Sequence, residues 1–317
     1  MKILVVDIGG TSIKYACMRE DMTMLTRGKI PTPKEGREEL IEAIGKLYDG
    51  LPDVEGIAIS MPGIIDSAGG YCVMGGALRY NDDFYLRHSL YKRCPVKIYM
   101  ENDAKCAAMA EAAAGSLKDV KDGFVLIFGT MIGGGFIKDH KLYRGRHFSA
   151  GEVSYIATVR EGSPDCENVW GNRCGTPQLC RMYAEKKGLD PSEVDGETVF
   201  EAVNRGDGEA RDCLRRFTRE IAVQMFNLQT VLDPERFAIG GGISAQPIFI
   251  EYIRNNLNEL YARCPYHVPA AEVVSCKFQN DANLYGALQC FLAYAGEQRD
   301  GEPQTGPEAR QHQKGEY

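Results

Sequence analysis

Residues 124–138, Phe-Val-Leu-Ile-Phe-Gly-Thr-Met-Ile-Gly-Gly-Gly-Phe-Ile-Lys, constrain the fold more than any other stretch of this chain. The apolar run Phe124 to Phe128 reads as a buried strand. It breaks at Gly129-Thr130, reaches three successive glycines at Gly133 to Gly135, and resumes as a second apolar run. Strand, glycine turn and returning strand predict a hairpin whose tip is almost bare backbone. A bare tip lets N–H groups approach an anion closely, and Thr130 adds a hydroxyl donor; glycine loops hold phosphates in this way. Taken alone, the stretch fits a tight hairpin with no ligand equally well.

The chain opens with the same pattern. Lys2-Ile-Leu-Val-Val-Asp-Ile-Gly-Gly-Thr-Ser-Ile-Lys14 is again an apolar strand, a glycine–threonine tip and a returning strand, with Asp7 at the strand end and Lys14 beyond the turn. Two copies about 120 residues apart predict two related α/β halves whose loops face each other. A cleft between such halves is a usual place for a ligand.

At 317 residues, two domains are the natural expectation. A net charge of −7 argues against a broad nucleic-acid surface. Eleven cysteines without a signal peptide read as reduced thiols of a cytoplasmic protein rather than disulfides. No run approaches the roughly 18 apolar residues of a membrane helix.

In chain order, a third strand is expected at 24–30 and an amphipathic helix at 35–48. A strand at 54–60 then ends in the rigid turn Met61-Pro62-Gly63. Residues 66–82 read as a glycine-rich loop leading to Arg79-Tyr80-Asn81. A strand at 96–100 carries Glu101-Asn102-Asp103 at its carboxyl end, and Asp103 opens an alanine-rich helix to Ala114. Ligands of α/β sheets bind beyond the carboxyl ends of strands. Asp103 is therefore a candidate catalytic carboxylate, the plainer alternative being a helix N-cap. Residues 145–152 form a polar segment ending in Glu152, and 160–175 are irregular around Trp170. Helices are expected at 176–187, 196–205 and 208–232, the last with Leu214, Phe217, Ile221, Met225 and Leu228 on one stripe. A strand at 236–239 enters Gly240-Gly241-Gly242 and a helix to Arg263, a turn suited to a nucleotide. A strand at 272–278 and a helix at 281–295 follow. The polar remainder, 296–317, reads as disordered.

Taken together, Asp7-Ile-Gly-Gly-Thr11 with Lys14, Met61-Pro-Gly63, Glu101-Asn-Asp-Ala104, Gly129-Thr-x-x-Gly-Gly-Gly135, Gly151-Glu152 and Gly240-Gly-Gly-Ile-Ser244 resemble the ROK family (repressors, open reading frames, kinases) over about residues 1–295. The resemblance implies the actin-like ATPase (RNase H-like) fold, with two α/β domains around an interdomain cleft, an N-terminal one at 1–117 and a C-terminal one at 118–295. The last helix is the element that would pack back on the N-terminal domain. The resemblance implies ATP and Mg²⁺ as cofactors and a sugar as substrate, with Asp103 as general base. Gly63, Asn81, Asn102, Asp103, Glu152 and Tyr155 would line the sugar. Gly9, Gly10, Thr11, Lys14, Thr130, Gly133 and Gly134 would hold phosphates, Gly241 and Gly242 would face the adenosine, and Asp7 would sit near the Mg²⁺.

Three departures from the family pattern stand out. Met131 occupies a position usually held by glycine, and Tyr155 one usually held by histidine. The family's compact cysteine cluster is absent; Cys166, Cys174 and Cys180 are spaced differently. In zinc-bearing members that histidine and those cysteines form a structural zinc site, so none is expected here, as in β-glucoside kinases. Trp170 is expected to anchor the segment instead. The resulting expectation is an ATP-dependent kinase acting on a hexose or β-glucoside hydroxyl, at O6. The alternative is a catalytically weak or silent sugar-binding regulator. DNA-binding members carry a helix-turn-helix before the first strand, where this chain has none, so no nucleic-acid partner is expected. The resemblance also implies a homodimer or homotetramer.

Overall fold

The computed structural model describes residues 1–158 and 168–296. They fall into two compact units: Met1–Ala110 with Gly145–Ser149 and the chain from Asp281, and Glu111–Arg144 with Ala150–Asn280.

In the first unit, β1 (Lys2–Ile8), β2 (Ser12–Arg19) and β3 (Met24–Pro31) form an antiparallel meander. Helix α1 (Arg37–Asp49) leads to β4 (Gly56–Met61), and a two-stranded ribbon of β5 (Ile64–Asp66) and β6 (Tyr71–Met74) follows. Helix α2 (Leu86–Arg93) then leads into β7 (Lys97–Asn102) and α3 (Asp103–Ala114). The sheet order is β3-β2-β1-β4-β7, with β4 parallel to both β1 and β7. Every residue of β4 is buried, as expected of a strand covered on both faces.

The second unit repeats the plan. β8 (Gly123–Phe128), β9 (Ile132–Lys138) and β10 (Lys141–Tyr143) are the meander. Helices α4 (Trp170–Cys174), α5 (Thr176–Lys187), α6 (Gly196–Asn204) and α7 (Gly208–Leu232) precede β11 (Arg236–Gly240), and α8 (Pro247–Arg263) precedes β12 (Glu272–Ser275). The order β10-β9-β8-β11-β12 reproduces the first sheet position for position. Each unit has its own apolar core. In α7, Leu214, Phe217, Ile221 and Met225 are buried as their spacing predicts. Trp170 is fully buried within the second core. The last helix, α9 (Ala282–Tyr294), packs on β1, β4 and β7 of the first unit.

Several expectations are revised. Residues 66–82 are not one loop; they contain the β5–β6 ribbon and a 3₁₀ turn at Arg79–Asn81. Helix α2 was not foreseen, because Leu-Arg-His-Ser-Leu-Tyr-Lys-Arg offers only Leu86 and Leu90 to the core. β7 runs on through Glu101 and Asn102. Of the segment expected to be irregular, 159–167 lie outside the described residues, whereas Trp170–Cys174 is helical. The expected disordered tail also lies outside them from residue 297.

The two compact units divide after Ala110, and the side chain that follows is tied into the second unit. The Glu111 carboxylate, fully buried, accepts from the N–H groups of Ser116 (2.7 Å), Lys277 (2.8 Å) and Phe278 (3.0 Å). These bonds tie the end of α3 to the chain after β12. Among the described residues, no helix is long and apolar enough to cross a membrane.

Candidate active site

In the first unit, Gly9, Gly10 and Thr11 are the three residues joining β1 to β2. The Gly9 N–H donates to the Ser12 carbonyl (3.0 Å). The end of β3 staples the tip from behind: Thr32 Oγ1 donates to the Gly9 carbonyl (2.6 Å) and its N–H to the Thr11 carbonyl (3.1 Å). Gly10 and Thr11 remain exposed. Thr32 was missed at the sequence level; nothing in its local pattern marks it.

Asp7 lies on β1 opposite Lys14 of β2. One carboxylate oxygen, Oδ1, accepts from Ser60 Oγ on β4 (2.9 Å) and from Asn283 Nδ2 on α9 (3.0 Å). Burial pushes the carboxyl above the usual carboxylate range, opposed by those two hydrogen bonds and by Lys14. A folded-state pKa above the unfolded value contributes stability below the unfolded pKa, and that contribution is lost as pH rises through the folded value. An Asp7→Asn variant keeps an acceptor for both donors and carries no charge. It is expected to melt higher than the parent at pH 8, by roughly 2–4 °C per kcal/mol recovered. The gap should close toward pH 4, while turnover falls. A parent-like or lower melting temperature at pH 8 contradicts this.

The corner at Gly63 brings together residues expected at the sugar. Gly63 has φ 105°, and a methyl there would overlap the Met74 carbonyl, so only glycine fits. Asn102 Nδ2 donates to the Gly63 carbonyl (2.9 Å), and Asn102 Oδ1 accepts from the Lys105 N–H (3.1 Å). Asn102 therefore caps α3 through the N–H three residues on. One N–H and one lone pair of the Asn102 amide remain for a ligand. Asp103, half-buried, starts the helix, and its Oδ1 accepts from the Ala104 N–H (2.8 Å). Against the same corner, Gly75 is held by Asp82 through its N–H (2.7 Å) and packs on Asn81. Asn81 is fully buried, and neither polar atom of its side chain has a hydrogen-bond partner.

In the second unit the hairpin tip differs from expectation. It is Gly129, Thr130 and Met131, whereas Gly133 and Gly134 lie inside β9, paired with Ile127 and Leu126. The Gly129 N–H donates to the Met131 carbonyl (2.9 Å), and the Thr176 N–H at the start of α5 donates to the Gly129 carbonyl (2.8 Å). A side chain at Gly175 would strike the Thr130 carbonyl. The tip thus rests on the α4–α5 junction with Thr130 exposed. Met131 packs inward, its methyl at 2.7 Å from where a Cβ on Gly171 would stand.

A cavity of about 510 Å³ opens beside Thr130, lined by Thr176, Pro177, Arg181, Val194 and Asp195 among others. Gly196, on its rim, lies against Ile243, which follows Gly241 and Gly242. Gly241, at φ 93°, touches the backbone of Phe128, while the space around Gly242 is open. Glu152 is half-buried and precedes a 3₁₀ turn, Val153–Tyr155, from which Tyr155 projects 54% exposed. Cys174 is fully buried and Cys180 nearly so, and burial raises both thiols; Cys166 lies outside the described residues. Among the described residues, no group of three or more His, Cys, Asp or Glu is placed to hold a metal ion.

The chain matches the family model "ROK family" over residues 3–293. It is 32% identical to a beta-glucoside kinase of Klebsiella pneumoniae over 292 residues, covering 92% of this chain and 96% of the relative. Two of the solved structures that share the fold carry bound ligands. One is a ROK family protein from Streptococcus pneumoniae in complex with sucrose (TM-score 0.84, 29% identity, 94% of this chain and 100% of that one). The other is a ROK family glucokinase from Streptomyces griseus in complex with glucose and AMPPNP (TM-score 0.79, 25% identity, 95% and 100%).

Proposed function

This chain belongs to the ROK family and is an ATP-dependent sugar kinase, and from that premise we propose that it phosphorylates O6 of a hexose or β-glucoside. The observation that carries the reading is the buried Asn81 amide. It offers two donors and an acceptor without a protein partner, beside the corner that positions Asp103. A buried amide left unpaired costs about 1–3 kcal/mol. A sugar hydroxyl that reached it, both donor and acceptor, would satisfy it.

In the first unit, Asp103 accepts the proton of the attacking hydroxyl, oriented by the Ala104 N–H. Asn102 and Gly63 shape the sugar corner, and the exposed Gly10–Thr11 tip, with Lys14, supplies donors to phosphate. In the second unit, Thr130 supplies further phosphate contacts and Glu152 a sugar contact. The cavity beside Thr130 has the volume of a small-molecule site and suits the nucleoside. Asp7 would face the Mg²⁺, which when bound neutralises the charge on the transferring phosphoryl group. The exposed Tyr155 ring next to Glu152 offers a face to a second ring, which favours a glucoside over free glucose. The relative named beta-glucoside kinase supports the same choice. The ten cysteines among the described residues are free thiols, which supports a cytoplasmic location. A homodimer or homotetramer is expected.

An ATP-consumption assay across a sugar panel tests this, with NMR of the product to place the phosphate. Cellobiose is expected to exceed glucose in kcat/KM by about tenfold, the scale of a modest hydrophobic contact. Asn81→Ala should raise KM for the better sugar with little change in KM for ATP. Preference for free glucose rejects the glucoside reading. A parent-like sugar KM in Asn81→Ala removes the amide from the site.

A further inference from the structure

We propose that Ser154 is a positioning residue that makes sugar binding and nucleotide binding cooperative within the second unit. The inference rests on the proposed roles of the two loops it joins. Its hydroxyl, on a residue only 7% exposed, makes two hydrogen bonds to one partner. It accepts from the Ile132 N–H (3.0 Å) and donates to the Ile132 carbonyl (2.6 Å).

Ile132 is the first residue of β9 and directly follows the Thr130–Met131 tip. Ser154 sits in the middle of the Val153–Tyr155 turn, two residues after Glu152 and directly before Tyr155. Both backbone polar groups of the strand residue that follows the proposed phosphate tip are thus held by one side chain of the proposed sugar loop.

Two further contacts limit the slack. Gly134 and Gly151 approach so closely that a Cβ on either would strike the other's backbone carbonyl, so the strand after the tip and the start of the sugar loop move together. Gly171 of α4 lies against both sides of the junction. A Cβ there would stand 2.5 Å from Ser154 Oγ and 2.7 Å from the Met131 methyl. The turn cannot shift without dragging or releasing Ile132, because the space behind it is filled. A sugar that shifts or fixes Glu152 and Tyr155 therefore shifts or fixes Ile132 and the tip, and the nucleotide then meets a loop whose position the sugar has set. Coupling of this kind is reciprocal: each ligand tightens the other by the same factor.

Titration calorimetry with AMPPNP–Mg²⁺ and whichever of glucose or cellobiose has the higher kcat/KM reads that factor. In the parent, saturating sugar should lower the nucleotide Kd by about fivefold or more, within the usual range for coupled sites. In Ser154→Ala the factor should fall below about twofold, measured from either ligand, with the nucleotide Kd in the absence of sugar little changed.

Should that variant fail to fold, hydrogen exchange on the parent gives an independent reading. Sugar alone should slow exchange of the Ile132 amide several-fold. Undiminished coupling in Ser154→Ala overturns the proposal, as does sugar binding without protection of Ile132. Both results leave the kinase reading standing. Failure of every sugar, or of the nucleotide, to bind the parent overturns the functional reading and the proposal together.

Discussion

Asp103→Asn is expected to bind sugar and nucleotide as the parent does and to lose between about 10² and 10⁴ in kcat, the usual worth of a general base. At about 1.4 kcal/mol per decade this is roughly 3–6 kcal/mol of barrier. The geometry allows a clean test. Asn102, not Asp103, caps α3, so the substitution leaves the cap in place. The new amide retains an oxygen to accept from the Ala104 N–H, as Asp103 Oδ1 does at 2.8 Å. What disappears is the ability to take a proton. Single-turnover rates with separately measured sugar affinity separate the two contributions. A kcat within a few-fold of the parent removes Asp103 from proton transfer and favours the sugar-binding regulator.

Gly286→Ala is expected to destabilise the protein by about 2 kcal/mol or more. Two effects oppose each other. Alanine in a helix interior is favoured over glycine by about 1 kcal/mol. Against that, a methyl at Gly286 would overlap the carbonyl of Cys106 on α3 and stand 2.9 Å from its Cα. Overpacking typically costs about 1–3 kcal/mol, and more when nothing yields. Here the obstacle is backbone, in a helix whose neighbouring residues Cys106, Ala107 and Ala108 are buried, so no flexible side chain can move aside. Sterics should win, with a fall in melting temperature of roughly 4–8 °C at 2–4 °C per kcal/mol. Turnover should fall as well, because Asn283 in the first turn of α9 holds Asp7. A melting temperature equal to or above the parent's would mean that α9 shifts outward without loss.

Much of this molecule could be read from its residues in order. The two glycine-tipped hairpins announced a repeated α/β plan, and both sheets carry it. The stripe along α7 and the placement of Asp103 at the start of α3 follow from period and position within a few residues. These features are local: an apolar run, a glycine turn or a strand-to-helix junction is written in adjacent residues.

Tertiary structure alone decided how the site is held. Asn283 reaches Asp7 from 276 residues away, and Ser60 and Thr32 meet the first hairpin only because β4 and β3 are laid beside it. The three glycines of 133–135 looked like a loop tip and lie in a strand, because close backbone approach by Gly151, not a turn, is what Gly134 accommodates. That Asn102 is the cap, that Asn81 is buried without a partner and that Ser154 holds Ile132 depend on which chain segments become neighbours. Glycine and apolar spacing fix local backbone shape. The partners of polar side chains are fixed only once the folded core has set their distances and excluded water from between them.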